Sequence, residues 1–161
     1  MAAPLHPSAV LYSEAKPFPA LPACEHYAGS EKLIGKALAL QQTLGPIFDL
    51  TCDCEDGAPA GAEQAHAGMV AAAINSADNR HGRVGARIHD VTHPHWREDL
   101  QIIVGRAGHK LAYLVLPKVS GADDALEQIA ALDDARKEYD IEREIPVHVL
   151  IETPGALHEV W

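Results

Sequence analysis

Five times along the chain an apolar run tipped with polar residues is followed by a helix-patterned segment, and this alternation constrains the fold more than anything else. "SAVLYS" (Ser8–Ser13) reads as the first strand, and the proline-rich "KPFPALPAC" as the loop after it. In "SEKLIGKALALQQTL", Ser30 suits an N-cap, Leu33, Ile34, Ala37, Leu38 and Leu40 recur at helical spacing, and Gly45 and Pro46 end the run. The second strand lies in "FDLTCDCEDG" (Phe48–Gly57), followed by the alanine-rich helix Glu63–Asn75. The third runs from Arg83 to about His89. After it, "HPHWREDLQIIVGRAG" places Pro94 near a helix start and Trp96, Leu100, Ile103 and Val104 on one face. "KLAYLVLPK" is a fourth, near-continuously apolar strand, as expected of a parallel strand covered on both faces. "GADDALEQIAALDDARKEY" is the fourth helix, "IPVHVLIE" the fifth strand, and "TPGALHEVW" opens a fifth helix with Pro154 in its first turn.

Such alternation implies a parallel sheet with right-handed crossovers. Two architectures satisfy it: a doubly wound open sheet and a (β/α)8 barrel. A chain of 161 residues would complete a five-stranded open sheet. A barrel needs roughly 250 residues, so the chain would be part of one. The pattern alone favours the open sheet, although neither G-x-G-x-x-G nor G-x-x-x-x-G-K-[ST] occurs to give it a nucleotide site.

A net charge of −10 offers no electrostatic reason to bind nucleic acid or an anionic membrane. No apolar run reaches transmembrane length, and "MAAPLHPSAV" lacks the basic and apolar regions of a signal peptide. Three cysteines, an odd and low number, argue against a disulfide framework and for a reducing cytoplasm. Cys52 and Cys54 alternate along a strand with Asp53 and Glu55. The thiols, with Phe48 and Leu50, are therefore expected to pack against helices, and the acids to face the other way. His66 and His158 read as helix-surface residues, and His93 and His95 as residues of a helix start.

Polar residues gather at the C-terminal tips of the strands: Asp53, Glu55 and Asp56, then Arg87, His89 and Asp90, then Lys118, then Glu152 and Thr153. In parallel α/β folds ligands bind at that edge. The tips "DCEDG", "GARIHD", "YLVLPKV" and "VLIETPGAL" occur in this order from Asp53 to Leu157. They resemble the motifs of the HpcH/HpaI aldolase and citrate lyase β-subunit superfamily, which includes malyl-CoA lyase-like members. The likeness runs from about Ser8 to the last residue.

The resemblance implies a (β/α)8 TIM barrel, of which residues 1–161 would be the N-terminal five βα units within a single lyase domain. It implies a metal-dependent carbon–carbon lyase, acting by aldol or Claisen cleavage on an acyl-CoA thioester or a 2-oxo or hydroxy diacid. Glu152 would ligate Mg²⁺ or Mn²⁺, the second ligand being an aspartate of a sixth strand, beyond residue 161. Arg87 would grip the substrate, with Asp53, Glu55 and Asp56 beside it, and Lys118 would support binding. His89, two residues past Arg87 on the same strand face, is placed to touch substrate by strand alternation alone. Breaking a carbon–carbon bond next to a carbonyl leaves an enolate, which a divalent cation and a fixed guanidinium can stabilise. The expected partners are a small-molecule substrate and further copies of the chain. "RIHD" and "ETPGALHEVW" depart from the "RVN" and "ETARG" of the superfamily and indicate a divergent branch. A rival expectation is a non-catalytic remnant or a subunit that needs a partner chain to complete the barrel.

Overall fold

The computed structural model describes residues 22–160. Its strands are β1 (Glu25–Ala28), β2 (Asp49–Asp53), β3 (Val84–Arg87), β4 (Leu114–Leu116) and β5 (Val147–Val149). They alternate with α1 (Glu31–Leu44), α2 (Glu63–Asn75), α3 (Trp96–Ala107), α4 (Ala122–Glu138) and α5 (Pro154–Glu159). All five strands are parallel and pair strictly in chain order, β1-β2-β3-β4-β5. A doubly wound sheet reverses its strand order at a switch point. Sequential order is that of a barrel wall, so the pattern-based preference for a doubly wound sheet is overturned. The wall is open: β1 and β5 do not pair with each other.

The strand beside β2 is one that the sequence pattern did not single out. Ser8–Ser13 lies outside the described residues, and the strand beside β2 is Glu25–Ala28. Its four residues, "EHYA", are too few and too polar to show an alternation. The parallel register from Glu25↔Asp49 to Ala28↔Cys52 is what makes them a strand.

The caps agree with the sequence reading. Ser30 Oγ accepts the Leu33 N–H at 3.3 Å, and Gly45 ends α1 at φ 79°. Thr153 Oγ1 accepts the Ala156 N–H at 3.1 Å, with Pro154 in the first turn of α5.

Side chains alternate cleanly across the sheet. Leu50, Cys52 and Cys54, Val84, Ala86 and Ile88, and Leu114 and Leu116 are fully buried in one core. Ile34 and Leu38 of α1, Val70 and Ile74 of α2, Leu100, Ile103 and Val104 of α3, and Leu132 of α4 complete it. Cys52 and Cys54 are thus packing residues, as expected. Burial pushes the Cys52 thiol up to about 12, helped by the Asp53 charge, and raises Cys54 well above its ordinary value.

The opposite face carries the polar residues, with Val115 of β4 buried among them. Thr51 Oγ1 lies 2.8 Å from Tyr113 Oη and 2.5 Å from Glu25 Oε1, and the Tyr113 ring stacks on His148 at 4.3 Å. No helix of the described residues is long and apolar enough to cross a membrane.

Candidate functional site

The strand tips converge as the sequence suggested, and the β2–β3 register explains how. Asp53 and Arg87 are paired positions at the C-terminal ends of adjacent strands, both on the polar face. Arg87 Nε donates to Asp53 Oδ1 at 2.7 Å and Nη2 to Oδ2 at 2.6 Å, a bidentate fork. The third nitrogen, Nη1, lies 3.0 Å from Glu55 Oε2. The Tyr27 ring of β1 lies beneath the guanidinium, 5.0 Å from centroid to Cζ. Every nitrogen of Arg87 is therefore engaged from within the fold.

Asp53 is equally tied. Besides Arg87 it accepts the backbone N–H of Glu55 at 3.0 Å and of Gly57 at 2.9 Å. A Cβ on Gly57 would stand 2.5 Å from Asp53 Oδ2, so only glycine lets the β2–α2 loop close so tightly on the carboxylate. Burial alone would raise the Asp53 pKa. The Arg87 and backbone hydrogen bonds outweigh it and hold the carboxyl below its ordinary range. Burial likewise opposes the Arg87 charge, and the hydrogen bonds to Asp53 and the charges of Asp53, Glu55 and Asp56 more than restore it.

Glu55 is the buried carboxylate at the centre. Its Oε1 lies 2.6 Å from Lys118 Nζ, as its Oε2 lies close to Arg87. Neither contact is aligned as a hydrogen bond. Between full charges the distances decide, so Glu55 is ion-paired but retains unused acceptor capacity. Lys118 Nζ also donates to Asp56 Oδ1 at 2.9 Å. Asp56 first, then Glu55, raise the Lys118 pKa above its ordinary value. Glu152, exposed beyond β5, accepts the Lys118 backbone N–H at 2.8 Å. Asp53, Glu55, Asp56, Arg87, Lys118 and Glu152 thus form one chain of contacts from β2 to β5.

His89 sits apart from that chain. Strand alternation would set it beside Arg87, but β3 ends at Arg87 and His89 turns toward α3. Its Nδ1 lies 2.5 Å from Asp99 Oδ2, and its backbone N–H donates to the same oxygen at 3.2 Å. The His93 ring stacks on it at 3.7 Å. Burial raises the Asp99 pKa even though the contacts with His89 pull it down.

Two residues escaped the sequence reading. His66 is buried rather than on the helix surface, and its Nε2 lies 2.8 Å from the Asp53 carbonyl oxygen, bracing the tip of β2. Its place on the apolar face of α2, with Ala67 and Val70, is the signal that was available. Tyr27 gave none, because its strand was not recognised.

Among the described residues no three His, Cys, Asp or Glu side chains are grouped to hold a cation by themselves. Mg²⁺ needs no such group, since it binds through one or two carboxylates and keeps several waters. Glu152 is exposed at the edge, and Glu55 carries acceptor capacity that no hydrogen bond uses.

No family model matches the chain. It is similar to a citrate lyase from Burkholderia xenovorans LB400, whose crystal structure superposes with a TM-score of 0.83 at 50% identity, over 96% of this chain and 46% of that one. It is 30% identical over 112 residues to the malyl-CoA/β-methylmalyl-CoA/citramalyl-CoA lyase of Chloroflexus aurantiacus, over 68% of this chain and 32% of that protein. The chain spans less than half the length of either relative.

Proposed function

Since the chain is a member of the citrate lyase β-subunit-like superfamily, we propose that it builds one side of the active site of a carbon–carbon lyase. The substrate class is an acyl-CoA thioester or a 2-oxo or hydroxy diacid, cleaved in the aldol or Claisen sense. The observation that carries this reading is the convergence of Arg87 and Lys118 with Asp53, Glu55 and Glu152 on one strand edge.

Asp53 holds Arg87 rigid through Nε and Nη2. Nη1 has only a charge contact with Glu55, so it is the nitrogen for which a substrate carboxylate would compete with Glu55. Binding there displaces no aligned hydrogen bond. A guanidinium fixed in advance also costs little reorganisation as charge develops on the substrate. Lys118 offsets the negative charge of Glu55 and Asp56, which would otherwise repel an anionic substrate. Mg²⁺ or Mn²⁺ would be held by Glu152, with Glu55 or Asp56 nearby, and would supply Lewis-acid stabilisation of the charge left on a carbonyl oxygen.

A second reading is a subunit active only when further polypeptide covers both open sides of the wall. Leu33, Leu40 and Leu44 on α1, and Ile151 and Leu157 beside β5, are each about half exposed or more and favour it. Association of copies of the chain belongs to the same reading.

The test is a screen of malyl-, citramalyl- and citryl-thioesters with Mg²⁺ or with chelator, on the protein alone and on its native assembly. Metal-dependent release of the shorter acid supports the lyase reading. Cleavage by the assembly alone selects the subunit reading, and no cleavage by either removes the lyase assignment.

A further inference from the structure

Among the described residues only Lys118 and Asp140 are non-glycine residues at positive φ. Asp140 lies in the turn after α4, where a short polar side chain tolerates that conformation. Lys118, at φ 49°, stands where β4 leaves the sheet. Lysine gains nothing local from a left-handed backbone, and strain of this kind at a polar edge needs a reason.

The β4–β5 ladder supplies one. Leu150 N–H donates to Leu116 O at 3.0 Å, and Pro117 then has no N–H to offer. The next donor is Lys118 N–H, and its partner is not β5 backbone but the Glu152 carboxylate, at 2.8 Å. We propose that the left-handed turn at Lys118 serves to aim its backbone N–H at Glu152, which makes Lys118 the positioning residue for that carboxylate. The backbone carries this role. The ammonium has a separate one, on Glu55 and Asp56.

The inference rests on the reading of Glu152 as a cation ligand. It ranks substitutions at 118 by backbone tolerance rather than by charge. Glycine and asparagine accept positive φ, alanine less readily, and a β-branched residue resists it.

The experiment is calorimetric titration of the purified protein with Mn²⁺, for wild type, Lys118→Gly, Lys118→Asn, Lys118→Ala, Lys118→Val and Glu152→Gln. Circular dichroism checks each fold. Lys118→Gly and Lys118→Asn should bind Mn²⁺ at least as tightly as wild type. Lys118→Val should bind about tenfold or more weakly, the usual cost of losing a group that orients a metal ligand. If Lys118→Val fails to fold, Lys118→Ala decides, with a smaller loss expected. Equal weakening in all four position-118 variants would assign the effect to the ammonium and overturn the proposal. So would wild-type affinity in Lys118→Val beside a loss in Glu152→Gln. Wild-type affinity in Glu152→Gln would instead remove the ligand reading beneath it.

Discussion

Asp53 and Arg87 occupy directly paired positions of β2 and β3, and their side chains meet as a bidentate fork at 2.6 and 2.7 Å. A one-residue slip between the strands would turn one partner into the helix layer. Register, more than proximity in sequence, builds this pair.

Arg87→Lys should retain the positive charge and lose the fork, because an ammonium cannot match two carboxylate oxygens in a plane. Arg87→Ala should also leave two buried carboxylates short of their cation, a cost of about 3 kcal/mol or more. Urea melts should order the stabilities wild type, Arg87→Lys, Arg87→Ala, and activity should be lost in both variants. Wild-type activity in Arg87→Lys would remove the guanidinium fixed by Asp53 from the reading.

The acid limb of stability should report Asp53. Its folded pKa is lowered, so its contribution is complete above the unfolded value near pH 4 and is lost as pH falls through the folded one. Asp53→Asn should lower the urea midpoint at pH 7, and its deficit against wild type should shrink below pH 4. A constant deficit across that range would mean the carboxylate charge is not what stabilises.

Gly85 and Gly35 should respond oppositely to alanine. A Cβ on Gly85 would collide with the Tyr113 ring, which is buried against His148, so overpacking should cost about 1–3 kcal/mol. Gly35, inside α1, has open space at the same position, and its replacement should stabilise by about 0.5–1 kcal/mol. A raised thermal midpoint in Gly85→Ala would contradict the packing described there, and a lowered one in Gly35→Ala the open space on α1.

Thiol labelling should separate Cys24 from the pair in β2. Cys24 is exposed, whereas Cys52 and Cys54 are buried with raised pKa values. Iodoacetamide at pH 8 should modify one thiol in the native protein and all three in urea. Rapid native labelling of Cys52 or Cys54 would mean that β2 is not packed as described.

Much of this is legible in one dimension. The periods of Leu50, Cys52 and Cys54 and of Leu100, Ile103 and Val104 name the core faces of β2 and α3 from spacing alone. The acids of "DCEDG" and the arginine of "GARIHD" name the polar edge. The misreadings have a common cause. Tyr27 belongs to a strand only because β2 pairs with it. His66 and His89 are placed by what they reach, the Asp53 carbonyl and the Asp99 carboxylate, and neither distance is written in local spacing.

Periodicity and local propensity were enough to read the alternation of strand and helix, the helix-facing side of β2 and the residue types at the strand tips. Packing of the whole sheet was needed to pair the strands in chain order as an open barrel wall, to hold Arg87 between Asp53 and Glu55, and to bend Lys118 left-handed toward Glu152. Those features depend on register and on contacts between residues about 30 or more positions apart, which the packing of the whole sheet selects.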